Sequence, residues 1–412
     1  MLDIKFVKEN KELVKENIKK KFQDQKLPLV DEVVEIYDKV CLLKLEGDNL
    51  RSEKNQASSQ IGLLMREGKK DDAEELKKKV VEINERLTSL EKEEVELNTI
   101  LRAKMMIIPN IIDSTVPIGK DDSCNVEIEK FGEPVVPDFE VPYHADILAS
   151  ISGLDKDSAG RTSGNGFYYL MGDAARIHSA MLSYARDFMI DKGFTYCIPP
   201  FMIRSDVVNG VMSFEEMDAM MYKIEGEDLF LIGTSEHSMI GRFKGQIVDE
   251  ASLPITLTSY SPCFRKEVGA HGIEERGVYR VHQFEKQEMV VLCKPEESMD
   301  WYNKMWSYTV EFFRSLDIPV RTLECCSGDL ADLKVKSCDV EAWSPRQKKY
   351  FEVGSCSTLG DAQARRLGIR TKGENGTYLV NTLNNLVVSI CTHLRESLKS
   401  LNLLRNLMAS NI

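Results

Sequence analysis

The chain has 412 residues and a net charge of −12, from 66 acidic against 54 basic side chains. A hydrophobic fraction of 42% and a mean hydropathy of −0.28 suit a chain with a sizeable core, and no apolar run approaches the roughly 18–20 residues of a membrane helix. The acidity argues against indiscriminate coating of nucleic acid, while leaving room for a basic groove aimed at one RNA. Length predicts two or three domains at roughly 150 residues each. The ten cysteines stand in a chain whose first residues carry charge throughout, with no apolar leader segment. They read as reduced thiols, which makes a cytoplasmic protein the expectation. There is no CxxC pair, and the adjoining Cys325 and Cys326 cannot comfortably share one metal, so structural zinc is disfavoured.

The spacing predicts a first helix over about 7–21, packed across the base of a longer helical hairpin. Ile36, Val40, Leu43, Gly47, Leu50, Lys54, Ala57, Ile61 and Leu64 recur in alternating steps of four and three. After the hydrophilic turn 68–72, a second series runs Leu76, Val80, Ile83, Leu87, Leu90, Glu94, Leu97 and Leu101. Two heptad runs joined by a short polar turn make an antiparallel helical hairpin, with limbs of about 45–50 Å at 1.5 Å per residue. Such a hairpin serves as a spacer or dimerisation coil. Its basic residues (Lys54, Arg66, Lys69, Lys70, Lys77, Lys78 and Lys79) equally suit phosphates or the solvated face every coil needs.

Pro109, Pro117, Gly119 and the stretch 132–142 form a breaker-rich linker. Beyond it, strands are expected at 195–198, 228–232, 255–260, 277–284, 288–292, 320–323, 339–343 and 350–353. Helices are expected at 174–192 and 296–316. Many strands with few intervening helices suggest an antiparallel sheet flanked by helices, an α+β domain. Neither a GxxxxGK[ST] loop nor a GxGxxG after a strand is present, so the common nucleotide folds do not apply.

The informative segment spans 262–288. A strand carrying Arg265 and Glu267 enters a charged loop with Gly269, Gly272 and Gly277, and a second strand returns with Arg280, His282, Phe284, Glu285, Lys286 and Glu288. Alternation puts Arg265 and Glu267 on one face, and Arg280, His282 and Phe284 on one face of the partner strand. Unpaired buried charge is costly as core. As a nucleotide site the set is economical: arginine forks a phosphate, a glutamate accepts from an exocyclic amine, and phenylalanine stacks a base. The competing reading is a self-neutralising ion-pair ladder on a solvated hairpin.

The FRKE run (264–267) followed by Arg280, Val281, His282, Gln283 and Phe284 resembles motif 2 of the class II aminoacyl-tRNA synthetases. The segments HQFEKQE (282–288), TSE (234–236), CSGDL (326–330), SCDVEAW (337–343) and FEVGSCSTLGDAQARR (351–366) are similar to seryl-tRNA synthetase. GFTYCIPPFM (193–202) resembles motif 1, with Pro200 as the interface proline. The resemblance implies an α+β chain: an N-terminal antiparallel coiled-coil arm (1–110) that reaches tRNA, then a class II catalytic domain (111–412) with an antiparallel sheet flanked by helices. It implies a homodimer that activates L-serine with ATP and Mg²⁺, then esterifies the 3′ end of a tRNA(Ser) whose long variable arm is read by shape and backbone. By this resemblance Arg265 is the catalytic clamp on the α-phosphate and serine carboxylate. Glu267 reads the adenine amine, Phe284 stacks the ring, Val281 lies beside it and Arg280 meets the γ-phosphate. Glu352 and Ser355, within Glu352, Val353, Gly354 and Ser355, hold Mg²⁺ and ATP phosphates; Gly354 stands where the family usually has serine. Thr234, Glu236 and Glu288 hold the serine ammonium and hydroxyl, with Asn384 and position 386 nearby. Activation is then an in-line attack needing no general base, so His271 and His282 read as structural.

The chain departs from the family near residue 386. Where the family's motif 3 reads approximately TLNN[ST]xxAxPR, this chain has Leu386 at the hydroxyl position and Thr392 at the arginine position. Arg395, one helical turn later, is a poor substitute. An amphipathic leucine-rich run fills 393–412. The readings are a working ligase, an impaired paralogue that keeps tRNA or partner binding, and a ligase for another carrier, which the long arm disfavours. A one-nucleotide frameshift would also produce the break: back-translating 390–394 as ATC-TGC-ACG-CAT-CTN and reading one base later yields Ser-Ala-Arg-Ile, with arginine at 392.

Overall fold

The structure is a computed structural model that describes residues 1–266, 277–278, 281–374 and 376–389, apart from the side chains of 214–216. Two compact units emerge: Leu2–Lys19 with Gln23–Pro109, and Asn110 onward with Met1 and Lys20–Phe22.

In the first unit the heptads become helices α3 (Leu27–Arg66) and α4 (Lys70–Met105). They are longer than the apolar pattern suggested, at 40 and 36 residues or about 60 and 54 Å at 1.5 Å per residue. Every predicted seam position is buried or half-buried, including the polar Lys54 and Glu94. Gly47, Ala57 and Ala73 are small seam residues that let the two backbones approach. Gly68 takes a φ of +78° in the connecting turn, a conformation glycine adopts without a Cβ penalty. The single helix expected over 7–21 is instead two, α1 (Ile4–Glu9) and α2 (Lys11–Lys20), because Asn10 leaves helical geometry with φ −125° and ψ 39°. Lys8 pairs with Asp38 at 2.6 Å and Lys15 with Asp31 at 2.7 Å, tying these helices to the foot of α3.

Among the described residues of the second unit, the main sheet has eight strands. In chain order they are β1 (Val126–Phe131), β2 (Thr195–Tyr196), β3 (Ile255–Phe264), β4 (Gln283–Cys293), β5 (Val320–Glu324), β6 (Lys336–Ser344), β7 (Lys349–Thr358) and β8 (Asn381–Ser389). Their spatial order is β1-β5-β6-β7-β8-β4-β3-β2. All neighbours run antiparallel except the parallel pair β2 and β3. The strands expected at 277–284 and 288–292 resolve into one, β4, for Gly277 and Val278 lie in a turn. The breaker-rich linker also carries an element missed in the sequence: β1 has the alternating pattern Val126-Glu-Ile-Glu-Lys-Phe131, but its edge position leaves both faces exposed.

Helices α5 (Gly172–Asp191) and α6 (Ser298–Ser315) cover one face of the sheet. Met189, Phe312 and Phe313 pack there among Met289, Val291, Val340 and Leu383 in an apolar core. The opposite face is left to short helices and loops, and the cleft opens on that side. The charged loop 267–276, Arg280 and residues 390–412, with His271, Thr392 and Arg395, lie outside the described residues.

Candidate active site

Alternation along β4 divides its charged residues between the two faces. Glu285 points to the helical face, where it accepts a hydrogen bond from Tyr260 and pairs with His178 of α5. Phe284, Lys286 and Glu288 point the other way, into a cleft of about 580 Å³. Arg265, just past the end of β3, lies over Phe284 with its guanidinium 5.3 Å from the ring centroid. Its Nε donates to the carbonyl of Gly233 at 3.3 Å. Val281 lines the wall beside Phe284.

A carboxylate cluster forms the floor. Thr234 caps the short helix α7 (Ser235–Gly241), accepting from the Glu236 amide at 3.4 Å. Its hydroxyl donates to Glu288 Oε1 at 2.7 Å, and Lys286 Nζ meets the same oxygen at 2.6 Å. Glu236 stands across from Glu288. Removal from water, reinforced by the Glu288 charge, pushes the Glu236 pKa up; hydrogen bonds from Gln363 and Asn384 and the Lys286 charge pull it back. The result is a pocket rich in oxygen acceptors, suited to a primary ammonium. His237 is buried and held neutral: burial, with Arg265 and Lys286 nearby, drives its pKa down to about 3.

The third wall is β7. Val340 of β6 faces Gly354 and Glu341 faces Glu352, so Val353 is an extra residue in a bulge. A bulge re-aims side chains, and here Glu352, Val353 and Ser355 all reach the cleft. Gly354 does not. Its Cα faces α6, where a Cβ would come within 2.9 Å of the Leu386 carbonyl and of Thr309 Cγ2. Asn384 and Leu386 of β8 complete the wall, with the intervening Asn385 turned to α6 and donating to the Met305 carbonyl at 2.6 Å. Glu352 opens onto the cleft, yet crowding by protein and the Asp339 carboxylate pushes its pKa up. A carboxylate so placed, with the Ser355 hydroxyl beside it, is an oxygen donor set that fits a hard divalent cation.

The expected residues Thr234, Glu236, Arg265, Val281, Phe284, Glu288, Glu352, Val353, Ser355, Asn384 and Leu386 thus line one cleft, whereas Gly354 faces away from it. Glu267 and Arg280 lie outside the described residues. His282 precedes β4 rather than sharing its cleft face; its Nδ1 lies 3.0 Å from the Arg265 carbonyl and 3.1 Å from the Tyr222 hydroxyl. Sequence reasoning overlooked Lys334, which reaches the cleft from the loop before β6. Burial opposes its charge, but Asp339, Cys325, Glu352 and Glu236 outweigh that and push its pKa up. No local pattern marks Lys334. Lys286 was overlooked as a site residue as well, although a strand's period of two places it between Phe284 and Glu288 on the cleft face.

Comparison with known proteins agrees with this architecture. Residues 1–112 match the family model of the seryl-tRNA synthetase N-terminal domain, and 220–390 that of the tRNA synthetase class II core domain (G, H, P, S and T). The serine–tRNA ligase of Methanoregula boonei is 37% identical over 96% of this chain and 93% of its own length. That of Thermococcus sibiricus is 39% identical over 94% and 90%. Among solved structures, seryl-tRNA synthetase from Pyrococcus horikoshii complexed with ATP superposes with a TM-score of 0.91 at 36% identity, covering 97% of this chain and 94% of that one. The cytoplasmic serine–tRNA ligase from Naegleria fowleri in complex with AMP gives 0.85 at 28% identity, with 97% and 93% covered. With both of its units matched and relatives aligned along nearly its whole length, the chain belongs to the seryl-tRNA synthetase family.

Proposed function

We propose that the protein is a serine–tRNA ligase that activates L-serine with ATP and transfers it to the 3′ end of tRNA(Ser). The observation that carries this reading is the shared cleft: an ammonium pocket (Thr234, Glu236, Glu288) beside an arginine–phenylalanine pair (Arg265, Phe284). The first group suits a free α-amino acid, the second a nucleotide. From its place over Phe284, Arg265 can hold the serine carboxylate against the α-phosphate and stabilise the charge that develops there. Attack of that carboxylate needs positioning and charge stabilisation, with no base. His237, its pKa driven down to about 3, is too weak a base to matter at the reacting centre, which fits that scheme.

On this reading Glu267 and Arg280 add adenine and γ-phosphate contacts, and Val281 flanks the ring. Glu352 and Ser355 would hold Mg²⁺, which when bound supplies charge neutralisation at phosphate oxygens; Val353 and Gly354 shape that wall. Residues 1–110 would form the arm that reads the long variable arm of the tRNA, residues 111–412 the catalytic domain, and the working form would be a cytoplasmic homodimer. Serine-dependent ATP–pyrophosphate exchange tests the first step, and charging of a long-arm tRNA the second.

A second reading, a family member that binds tRNA or a partner without efficient aminoacylation, draws on two residues. Leu386 gives the ammonium pocket an apolar neighbour, and Thr392 stands where the family pattern has arginine. Exchange at background with tRNA binding retained would favour it.

A further inference from the structure

Behind the ammonium pocket lies a buried amide that reaches no ligand space. Gln363 is in the helix α8 (Ala362–Leu367) and has no solvent exposure. Its Nε2 donates to Glu236 Oε1 at 2.9 Å and to the Val211 carbonyl at 3.2 Å. Its Oε1 accepts from Thr382 Oγ1 at 2.7 Å, and Thr382 is equally buried. The Val211 carbonyl is a pure acceptor, so the amide cannot be turned around without setting oxygen against oxygen there. The side chain is therefore a rigid link from β8 to the carboxylate of Glu236.

We propose that Gln363 is a positioning residue for substrate recognition: it anchors one oxygen of Glu236 and leaves the other, ionised, to the substrate ammonium. The inference rests on the serine reading above and names what makes that pocket work. The groups surrounding Glu236 make such a residue necessary. Glu288, across the pocket, and removal from water both favour the protonated acid, which cannot pair with an ammonium. Lys286 from β4 and Lys334 from the loop before β6 act in the opposite direction. Lys286, however, is engaged on Glu288 at 2.6 Å. Asn384 adds a neutral hydrogen bond, Arg265 and Glu352 stand elsewhere in the cleft, and His237 is uncharged. Gln363 therefore gives the ionised form a hydrogen bond from a fixed, fully buried donor. Gln363 acts through Glu236, in the layer behind the cleft lining.

The test measures binding of L-serine and of ATP, separately, to the full-length chain by titration calorimetry across the acid-to-neutral range. In the unaltered protein, serine affinity should fall as pH drops through the raised Glu236 pKa. Gln363→Met should weaken serine by roughly ten- to a hundredfold, the scale of one hydrogen bond to a charged group. It should also move the acid limb to higher pH and leave ATP affinity unchanged. Thr382→Val, nearly isosteric, removes the hydroxyl that aligns the amide and should shift serine binding in the same direction by less; it decides the matter if Gln363→Met does not fold. An unaltered affinity and acid limb in both variants overturns the proposal. Parallel loss of serine and ATP binding also overturns it, since that marks a merely structural role. If the unaltered chain binds ATP but no serine at any pH, the serine reading itself falls, and this inference with it.

Discussion

At the scale of single residues, the cleft separates groups by what they can tolerate in their environment. Arg265 is held by a backbone carbonyl and an aromatic face, neither of which neutralises its charge, so that charge remains available to a phosphate. Arg265→Ala should cut serine-dependent ATP–pyrophosphate exchange by about 10²–10³-fold, corresponding to roughly 2.7–4 kcal/mol for one lost transition-state donor; near-normal exchange would remove Arg265 from the assignment. Gly354 makes a different prediction. A Cβ there would meet the Leu386 carbonyl and Thr309 Cγ2 at 2.9 Å, so Gly354→Ser, which restores the family's usual residue, should destabilise the fold. Overpacking of this kind costs about 1–3 kcal/mol, readable as a lowered urea midpoint; an unchanged midpoint would show that β7 and α6 can give way. Phe284 and Glu288 were expected at the site, and a strand's period of two would have added Lys286 between them. Lys334 was not expected, because it enters from a loop whose path depends on the rest of the fold.

At the scale of elements, the arm shows which of its interactions matter. Arg86 reaches Glu46 at 2.7 Å and Arg51 reaches Glu91 at 3.1 Å across the hairpin, but all four side chains are exposed. Such pairs contribute about 0–1 kcal/mol each. Ile83, Leu87 and Leu90 are buried in the seam, and Leu90→Ala should cost about 2–5 kcal/mol of the arm's stability. A melt followed by helical circular dichroism should show the early loss, while adenylate formation is unaffected. Deleting about 46–90 and closing the hairpin should likewise preserve exchange but weaken tRNA charging, since the sheet's core is built without the arm. Loss of both steps with the remaining fold intact would refute this modularity. The heptads were plain in the sequence because a coil's partner is local. Strand β1 was not: its alternation Val126-Glu-Ile-Glu-Lys-Phe131 is visible, but only pairing with β5 distinguishes it from a linker.

At the scale of the whole molecule, the proposed ligase function makes a prediction about position 392. Resequencing the 3′ end of the gene is the direct check. An arginine at 392 in a corrected frame would restore motif 3 and predicts full exchange; a confirmed Thr392 predicts exchange reduced by on the order of 10²–10³-fold, taking one lost donor as the scale. By itself the sequence determined the helical arm, the α+β class and most residues of the cleft, because heptad spacing, strand alternation and motif order are properties of neighbours along a chain. Tertiary structure decided the rest. The bulge that turns Gly354 away while admitting Glu352 and Ser355 arises from the pairing of β6 with β7. The arrival of Lys334, and the link from Thr382 through Gln363 to Glu236, bring together residues far apart in the chain. Hydrogen bonds and charge act through space, over a few ångströms, and only the folded chain sets those distances.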